Sequence, residues 1–572
     1  MSSEMIIPQS LVLSFQTRVQ FQSRLSKEEL DLLIIGGGIN GAWMAFDASL
    51  RGLKVGLVES KDFGHGPSRN NSELLHGGFR YLKEWYQNPK NWHKVKSVLK
   101  LVREALRERE VLMKIAPHLA RPVGFCMPLY APNGLGWAKQ SFYAIGFWMY
   151  DRLSAAHIIK PFKMLSRENT LKTLSGIKEK NLIGSGLYYD CKMEPGRFLI
   201  EIIKAAASKG ALIGNYLKAT NPIWETNENQ RILKGFVCDD LLFKKSISIT
   251  AKQIVDATGP WGDVFRQKIW GDKLPLLRLS KGIHIMVKQL FSEPIACAFF
   301  ADDNRIIFII PWGEDYSYSL IGTTDTDFLE HPDAVYPDQN SIDYLIKKVR
   351  ALFPNANLHC FGNYAGIRPL VRQTEGSASS VSREHSIITH NHCHLTSVFG
   401  GKWTTARKVA QEVLDQVFPE TKSKSHTERL RIGGENVAEL LENGLPKKDS
   451  PFLHSLMEKG FQENTLHHLI FNYGKNASKI IDLSIENSSL KNPICQGMPF
   501  ICAEIVYAVR YEMAMRVSDF LIRRSIFGRL RQRGLDAAPV VADIMAKEMG
   551  WDDQRKKEEI ELFDKSTRIL NI

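Results

Sequence analysis

The chain has 572 residues and a mass of 64.9 kDa, which is enough for about three to four structural units and for burying a large cofactor. With 44% hydrophobic and 24% charged residues, the composition excludes an intrinsically disordered protein. The formal net charge of +13 favours partners that carry phosphate, namely nucleic acid, anionic lipid or a small phosphorylated substrate, and does not choose among them.

The eight cysteines are scattered, without a C-x-x-C pair, and therefore predict a reducing compartment and no zinc site. No stretch reaches the roughly 18 to 20 apolar residues that a transmembrane helix needs. Residues 1–30 lack the basic start and the apolar core of a secretion signal. Arg18 and Arg24 would suit a mitochondrial transit peptide, but nearby glutamates weaken that interpretation. We predict a helical N-terminal arm over residues 1–30.

The strongest local signal lies over residues 31–59. An apolar run that ends at Ile35 predicts a buried parallel strand, and it leads directly into the sequence GGGING over residues 36–41. A helical segment over residues 42–53 and a second short strand that ends at Glu59 follow. Together these elements predict a βαβ unit with a G-x-G-x-x-G turn, which binds the pyrophosphate of a dinucleotide.

Each glycine of such a turn has a physical role. Gly36 allows the tight turn, Gly38 lets the backbone approach the pyrophosphate, and Gly41 lets the helix pack closely on the strand. Asn40 lies in the first turn of the helix, whose N-terminal amides attract the phosphates. Glu59 follows at about the 20-residue offset at which an acidic side chain binds a ribose hydroxyl.

This motif suits FAD and NAD alike, so the cofactor has to be inferred from three other segments. Residues 254–261 (IVDATGPW) form a strand and a turn, residues 397–405 (SVFGGKWTT) form a strand, a glycine turn and a helix start, and residues 66–81 form a polar loop. We predict that the following residues of these segments contact the cofactor: Ser68, Ser72, His76, Thr258, Gly259, Gly400, Gly401, Lys402 and Thr404.

From about residue 25 to its C-terminus the chain resembles the FAD-dependent, aerobic-type glycerol-3-phosphate dehydrogenases. The likeness rests on blocks in the family's order: IIGGGINGA, LLHGGFRYL, REALRERE followed by APHLARP, YYDC, DATGPW, KGIHI, FIIPWG, LIGTTDTD, AGIRPLV, SREH and FGGKWTT. The resemblance implies FAD as cofactor and a mixed α/β (α+β) fold of the amino-acid-oxidase flavoprotein type. In that fold a Rossmann-like FAD-binding domain carries an inserted β-rich substrate domain and a helical C-terminal domain.

The resemblance also implies domain boundaries. The FAD-binding domain is expected over residues 31–78, 180–278 and 383–418, the substrate-binding domain over residues 79–179 and 279–382, and the helical C-terminal domain over residues 419–572. The C-terminal domain is predicted to contain an amphipathic helix over residues 503–520, and it lacks an acidic calcium-binding loop.

The chain departs from the family pattern at three places. Glu73 stands where the family has a lysine, so any flavin contact of that lysine is in doubt. Ala406 stands where the family has a tyrosine, and residues 194–197 read Glu-Pro-Gly-Arg in place of Asp-Asp-Ala-Arg. Neither of these two changes removes an obvious catalytic group.

The activity implied by the resemblance is the oxidation of sn-glycerol 3-phosphate to dihydroxyacetone phosphate, with hydride transfer to FAD and electron transfer to a membrane quinone. The phosphate needs a cationic pocket, and arginine suits it because its planar fork pairs with two phosphate oxygens. We predict Arg80 and Arg368 as the main phosphate ligands, with Arg383 and Lys402 as helpers and Tyr81 adding a hydroxyl.

The reaction also needs a base for the proton of the secondary alcohol. His76 and His284 are both candidates, because an imidazole titrates close to working pH, and the sequence does not choose between them. We count Arg80 and Arg368 with these histidines as the catalytic group. The run of three histidines over residues 389–394 is interpreted as a β-hairpin rather than a metal site, and no metal is expected.

Three other functions stay open. A flavin amine or amino-acid oxidase of the same fold group would need a carboxylate clamp instead of a phosphate site. An oxygen-using glycerol-3-phosphate oxidase differs only in its electron acceptor. A basic nucleic-acid-binding protein would bind nucleic acid with a steep dependence on salt; we expect no nucleic-acid partner.

A quinone acceptor implies contact with a membrane, since quinones dissolve in the bilayer. Residues 137–150 are aromatic and apolar and are flanked by Lys139, Arg152 and Lys160, as in a helix that lies in the membrane interface. Residues 521–533 form a second basic and apolar segment. We predict a cytoplasmic protein that associates peripherally with the inner, anionic face of the membrane, and leave a homodimer open.

Overall fold

Two large β-sheets and a set of C-terminal helices make up the computed structural model. It describes residues 11–79, 92–131, 136–154, 159–227, 230–271, 275–313, 317–372, 385–390, 393–421, 423–434, 441–442, 445–446, 451–530 and 532–568. The described helices are α1 (Phe15–Lys27), α2 (Ile39–Leu50), α3 (Trp92–Ile115), α4 (Gly136–Leu153), α5 (Arg167–Thr173), α6 (Pro195–Ser208), α7 (Gly262–Trp270), α8 (Gln339–Leu352), α9 (Ala406–Val417), α10 (Pro451–Met457), α11 (Glu463–Tyr473), α12 (Ala477–Glu486), α13 (Ala503–Glu512), α14 (Ala538–Met549) and α15 (Asp553–Arg568).

The described strands are β1 (Leu30–Ile35), β2 (Val55–Val58), β3 (Leu74–Leu75), β4 (Ala120–Tyr130), β5 (Lys163–Leu165), β6 (Leu182–Met193), β7 (Leu212–Gly214), β8 (Leu217–Asn227), β9 (Gln230–Asp240), β10 (Lys245–Asp256), β11 (Leu277–Lys288), β12 (Ala296–Phe300), β13 (Ile306–Trp312), β14 (Tyr318–Gly322), β15 (Thr326–Asp327), β16 (Gly362–Val371), β17 (His385–His390), β18 (Leu395–Gly400), β19 (Leu441–Glu442) and β20 (Leu445–Pro446).

The first sheet has the predicted βαβ unit at its centre. Its order is β17-β18-β10-β1-β2-β7, with β18, β10, β1, β2 and β7 parallel, and β8 and β9 extend it beside β10. Ile35 pairs with both Val58 and Asp256, so these parallel strands end at one edge of the sheet. Such an edge is where open α/β sheets bind their ligands. Helix α2 begins at Ile39, three residues before the predicted start, because Gly38 serves as its N-cap.

The predicted hairpin around the histidine run is present. Strands β17 and β18 are antiparallel, with Thr389 opposite Thr396 and His390 opposite Leu395. Residues 391 and 392 lie outside the described residues. Among the residues that the structure describes, no group of three His, Cys, Asp or Glu side chains could hold a metal ion.

The second sheet has ten strands in the order β15-β11-β14-β13-β12-β4-β6-β3, with β16 beside β11 and β5 beside β6. Strand β6, which we expected in the FAD-binding domain as part of residues 180–278, pairs with β4 in this second sheet. The expected boundary near residue 180 is therefore wrong for residues 182–193. An alternating apolar pattern predicts a strand, but its pairing partner is decided by residues about 60 positions away.

Within the predicted N-terminal arm, helix α1 packs against the first sheet. Ser14 caps it, with its side-chain hydroxyl accepting a hydrogen bond from the backbone amide of Thr17. Phe21 and Leu25 are buried, and so is Arg18, whose Nη1 lies 2.9 Å from an Asp240 carboxylate oxygen. Arg18 thus has a structural partner. Residues 1–10 lie outside the described residues.

The C-terminal part is mainly helical, as expected, but two details of the prediction are wrong. Helix α13 ends at Glu512, because Met513 adopts a left-handed backbone conformation with φ of 50°. Residues 503–509 are all buried, so the polar face expected of an amphipathic helix is missing from this part of α13. In the segment 521–533, which we considered as a second basic and apolar segment beside the membrane candidate, Leu521, Arg523, Arg524, Phe527 and Arg529 are buried.

Ion pairs explain why these arginines are buried. Asp62, in the loop after β2, accepts hydrogen bonds from Arg523 Nε at 2.6 Å and Arg524 Nη1 at 2.5 Å. Burial alone would raise the pKa of Asp62, but the Arg524 and Arg523 guanidinium groups hold it below the ordinary value. Nearby, both terminal nitrogens of Arg197 lie 2.7 Å from the Glu512 carboxylate. Charges from distant segments therefore bind the C-terminal helices to the FAD-binding part.

Candidate active site

A cavity of about 520 Å³ lies between the carboxyl edge of the first sheet and strands β11 and β16 of the second. Its volume falls in the range of about 300 to 1,000 Å³ that is typical of cofactor and ligand sites. The predicted site residues that line it are Gly36, Gly38, Asn40, Glu59, Ser68, Ser72, His76, Thr258, Gly259, His284, Arg368, Gly400, Gly401, Lys402 and Thr404. The predicted residues Arg80, Tyr81 and Arg383 lie outside the described residues.

The glycines of the first turn leave room that side chains would fill. Gly36 has φ of 114°, and a Cβ on it would lie 2.5 Å from the carbonyl oxygen of Ala257. A Cβ on Gly41 would lie 1.9 Å from the carbonyl oxygen of Gly36. Gly41 does not line the cavity; it lies behind the turn, where helix α2 contacts β1.

Polar side chains organise the start of helix α2. The Ser68 hydroxyl accepts a hydrogen bond of 2.9 Å from the Ile39 amide. The Glu59 carboxylate accepts from the amides of Gly37 at 2.7 Å and Lys61 at 2.9 Å, and burial raises its pKa. A glycine turn, a helix N-terminus and a half-buried acid at the end of β2 are the features that hold the pyrophosphate and ribose of a dinucleotide. The residues present therefore fit FAD.

Replacing Gly41 with alanine is expected to weaken FAD binding by about 5- to 150-fold. The new methyl group would displace the Gly36 carbonyl, and overpacking of this kind costs about 1 to 3 kcal/mol. The dissociation constant for FAD, followed by flavin fluorescence, measures the effect. Gly146→Ala is the matched control, because a Cβ there meets only Phe79, at an ordinary 3.6 Å. Equal FAD affinities of the two variants would contradict the role of Gly41.

Arg368 lies in the wall formed by the second sheet. Its Nη2 donates to the Thr323 hydroxyl at 3.0 Å and to the Thr324 carbonyl at 3.2 Å. Its Nη1 lies 3.3 Å from an Asp325 carboxylate oxygen. On the neighbouring strand, Gly282 makes room for this guanidinium, since a Cβ there would lie 2.4 Å from Arg368 Nη2. The cation is thus held in one orientation beside the cavity.

His284 lies near Arg368 in the same wall. Its Nε2 is 2.9 Å from the Ser72 hydroxyl oxygen, and its ring stacks on the Tyr364 ring with centroids 5.0 Å apart. Burial, together with the charges of Arg368 and Arg529, lowers the pKa of His284 well below its ordinary value. The imidazole is therefore neutral at physiological pH, which is the form that can accept a proton.

His76 lines the cavity too, half-buried, with its ring 6.4 Å from the Phe308 ring. Hydrogen bonds fix the next residue, Gly77. Its amide donates to the Tyr150 hydroxyl at 2.8 Å, and that hydroxyl donates to Asp190 at 2.9 Å. Burial raises the pKa of Asp190 to about 6. No local pattern in the sequence predicts these two hydrogen bonds, because Tyr150 and Asp190 belong to different elements. Both candidate bases reach one cavity.

Glu73, the departure from the family pattern, does not line the cavity. It is fully buried, and its carboxylate accepts hydrogen bonds from Arg69 at 3.2 Å, from Trp312 Nε1 at 2.9 Å, and from Arg529. The Glu73 carboxylate thus binds cations of the protein itself and does not reach the cavity.

Three residues that no sequence motif predicted, Lys61, His65 and Asp333, lie at the other end of the cavity. Lys61 Nζ lies 2.8 Å from an Asp333 carboxylate oxygen and 3.0 Å from His65 Nε2. Burial lowers the pKa of His65 to about 3. All three residues line the cavity, and the ion pair joins the first βαβ unit to a loop of the second sheet's domain. No local motif marks Asp333, because its partner lies 272 positions away.

Comparison with known proteins identifies the family of the chain. Residues 31–415 match the family described as FAD dependent oxidoreductase, and residues 396–556 match the C-terminal domain of alpha-glycerophosphate oxidase. The aerobic glycerol-3-phosphate dehydrogenase of Staphylococcus aureus (strain USA300) is 33% identical over 556 residues, which cover 94% of each chain. That of Staphylococcus saprophyticus is 32% identical over 566 residues, or 95% of each chain.

Solved structures share the fold. The glycerol-3-phosphate dehydrogenase from Bacillus halodurans, complexed with FAD, aligns with a TM-score of 0.74 and 25% identity over 98% of each chain. The L-alpha-glycerophosphate oxidase from Mycoplasma pneumoniae aligns with a TM-score of 0.52 and 18% identity over 68% of this chain and 95% of that chain. The mixed α/β flavoprotein fold is confirmed, and the chain belongs to the FAD-dependent oxidoreductases and, within them, to the aerobic glycerol-3-phosphate dehydrogenases.

Proposed function

We propose that the protein oxidises sn-glycerol 3-phosphate to dihydroxyacetone phosphate with FAD and passes the electrons to a membrane quinone. One observation carries the proposal: a single cavity joins the glycine turn at Gly36 to a cationic end with Arg368 and the two histidines His76 and His284. When bound, FAD supplies the hydride acceptor. The residues of the chain have to bind the phosphate, orient the alcohol and take its proton.

Phosphate binding is assigned to Arg368, with Lys402 as a second cation in the cavity wall. The contacts with Thr323 and Thr324 hold the guanidinium plane before any ligand arrives. An oriented donor of this kind loses little side-chain entropy on binding, and a charge-assisted contact with phosphate is stronger than a neutral hydrogen bond.

Proton transfer is assigned to a histidine. A neutral imidazole can take the hydroxyl proton while the hydride leaves the same carbon, and a ketone results. Substrate binding favours His284 in this role, because a phosphate dianion next to Arg368 offsets one of the charges that lower the pKa of His284. His76 remains the second candidate, since it reaches the same cavity and its loop is held by Tyr150.

Anaerobic mixing of the FAD-loaded enzyme with sn-glycerol 3-phosphate tests the proposal. We expect the visible absorbance of oxidised flavin to be bleached by this substrate, and to persist with sarcosine or a D-amino acid. Bleaching by an amine alone would instead assign the protein to the amine-oxidase group. An unchanged spectrum with every substrate would reject flavin-dependent oxidation of these alcohols and amines.

The electron acceptor needs a separate experiment. Residues 396–556 match the C-terminal domain of an oxidase, so oxygen is the alternative to the proposed quinone. Reoxidation of the reduced enzyme is compared in air and with a quinone analogue. We expect fast reoxidation by the quinone and little hydrogen peroxide in air. One peroxide per substrate, with slow reaction of the quinone, would make the protein an oxidase.

Membrane contact is assigned to helix α4. Its outer face carries Trp137, Ile145 and Trp148, which are 72%, 59% and 52% exposed, whereas Phe147 and Tyr150 on the inner face are buried. Aromatic side chains flanked by basic ones suit a helix that lies in the headgroup region. None of the helices in the described part of the chain is both long and apolar enough to cross a bilayer.

Replacing Trp148 with glutamate is expected to weaken binding to vesicles that contain anionic lipid by about tenfold or more, since a buried aromatic side chain contributes about 1.5 to 3 kcal/mol. Cosedimentation with vesicles measures the effect. Leu329→Glu is the control, because Leu329 is 96% exposed outside α4. If both variants bind vesicles as the wild type does, α4 is not the membrane contact.

A further inference from the structure

Arg529 belongs to the C-terminal domain, yet its side chain is buried against the loop that carries Ser72. Its Nη2 donates to the carbonyl oxygen of Arg69 at 2.9 Å and to the side-chain oxygen of Asn70 at 3.2 Å. Its Nη1 pairs with the buried carboxylate of Glu73. One guanidinium group therefore binds three points of the five-residue segment 69–73.

The same guanidinium belongs to a stack of planar groups that ends in the cavity. Its carbon Cζ lies 3.8 Å from the centroid of the Tyr364 ring, and the Tyr364 ring stacks on the His284 ring with their planes tilted by 15°. The Tyr364 hydroxyl donates to the Asn71 carbonyl at 2.6 Å. Arg529 and Tyr364 thus hold both the segment with Ser72 and the ring of His284.

This arrangement has little room for movement. A Cβ on Gly366 would lie 2.1 Å from the carbonyl oxygen of Asn70, so segment 69–73 lies in close contact with strand β16. Glu73 has a left-handed backbone with φ of 56° and no solvent contact. A shift of the guanidinium is therefore passed on to the segment and to the rings, because a closely packed region has no void that absorbs it.

We propose that Arg529 is a positioning residue of the active site: from the C-terminal domain, it sets the places of Ser72 and His284 at the cationic end of the cavity. It touches neither substrate nor cofactor in this role. The rate measurements that test this proposal rest on the proposed function, so the circular dichroism of bound FAD, which does not depend on turnover, is measured as well.

Two substitutions separate geometry from charge. Arg529→Lys keeps the positive charge but loses the planar group on Tyr364 and the forked donors, whereas Arg529→Gln also loses the charge. Arg510→Ala is the control, because Arg510 lies in the same domain and forms a half-exposed pair with Glu548. Each variant is compared with the wild type for FAD content, rate of flavin reduction by sn-glycerol 3-phosphate, and visible circular dichroism of bound FAD.

Both Arg529 variants are expected to retain FAD and to reduce it about 10- to 10²-fold more slowly, since a misplacement of about 1 Å costs about 10²-fold in rate. The charged groups that face His284 in the described structure are Arg368 and Arg529, beside the neutral hydroxyls of Ser72 and Tyr364. Arg529→Gln should therefore move the acid limb of the rate profile to higher pH than Arg529→Lys does. Arg510→Ala should match the wild type.

Wild-type reduction rates and pH profiles in both Arg529 variants would overturn the proposal, even if their thermal stability falls. Should these variants fail to fold, Tyr364→Phe decides, because it removes only the hydrogen bond to Asn71: a rate about tenfold lower supports the proposal, and a wild-type rate rejects it. If the wild-type flavin is not reduced by sn-glycerol 3-phosphate, the proposed function fails separately. The circular dichroism of bound FAD, altered in Arg529→Gln and unaltered in Arg510→Ala, then tests the positioning role, and identical spectra reject it.

Discussion

Replacing Arg368 with alanine is expected to slow the reduction of bound FAD by sn-glycerol 3-phosphate by about 10²- to 10³-fold. Truncating one partner of a hydrogen-bonded charge pair costs about 2 to 5 kcal/mol, and each 1.36 kcal/mol is tenfold in rate. FAD should stay bound, because the glycine turn at Gly36 and the acid Glu59 lie in the wall formed by the first sheet, whereas Arg368 lies on β16. Stopped-flow absorbance under anaerobic conditions measures the rate.

Arg278→Ala is the matched control for this substitution. Arg278 lies on β11, the strand beside β16, and pairs with Asp327 at the surface, 2.6 Å away. Its loss should leave the reduction rate within about twofold of the wild type, because exposed ion pairs contribute only about 0 to 1 kcal/mol. Similar rates for Arg368→Ala and the wild type would remove the phosphate ligand from the proposed site.

Replacing Asp62 with asparagine is expected to lower the free energy of unfolding by about 3 to 5 kcal/mol, because it leaves the buried guanidinium groups of Arg523 and Arg524 without their shared counter-charge. The C-terminal helices should loosen first, since both arginines belong to that domain. Urea titration followed by circular dichroism measures the change. Asp327→Asn is the control: it breaks the surface pair with Arg278 and should cost at most about 1 kcal/mol.

The difference in the free energy of unfolding between the wild type and Asp62→Asn depends on pH with a definite sign. The folded state holds the pKa of Asp62 below its unfolded value, so the ionised carboxylate stabilises the fold at neutral pH. This contribution is complete above the unfolded pKa of about 3.9 and is lost as the pH falls through the folded value. The stability difference between wild type and Asp62→Asn should therefore shrink in acid. A constant difference down to the acid limit would show that Asp62 does not act through its charge.

The cofactor end of the site could be predicted from the sequence because its signals are local. The turn over residues 36–41, the acid Glu59 and the glycines Gly400 and Gly401 each act through a few neighbouring residues of backbone. A glycine turn between a strand and a helix has few conformations, and the strand ends of a parallel sheet meet at one edge. Thirteen of the fourteen residues predicted to bind the cofactor therefore line one cavity, although the chain segments that carry them are far apart.

The substrate end is predicted only in part. Arg368 and His284 reach the cavity as expected, but two residues that act on His284 carry no local signal: Tyr364, whose ring stacks on the imidazole, and Arg529, whose charge lowers the pKa of the imidazole. Arg529 belongs to the segment 521–533, which the sequence marks only as basic and apolar. Whether an arginine is solvated or buried depends on a carboxylate partner, and the partner Glu73 lies 456 positions away.

The sequence by itself determined the βαβ unit, since a strand, a glycine turn and a helix N-terminus are set by the backbone chemistry of adjacent residues. It also determined FAD and the family, through blocks of residues that stand in the family's order. Only the tertiary structure decided that β6 joins the second sheet, that Arg523, Arg524 and Arg529 are buried, and that Glu73 binds Arg529. Those outcomes depend on which distant charges and strands meet when the chain packs, and buried charges are stable only where such a partner is present.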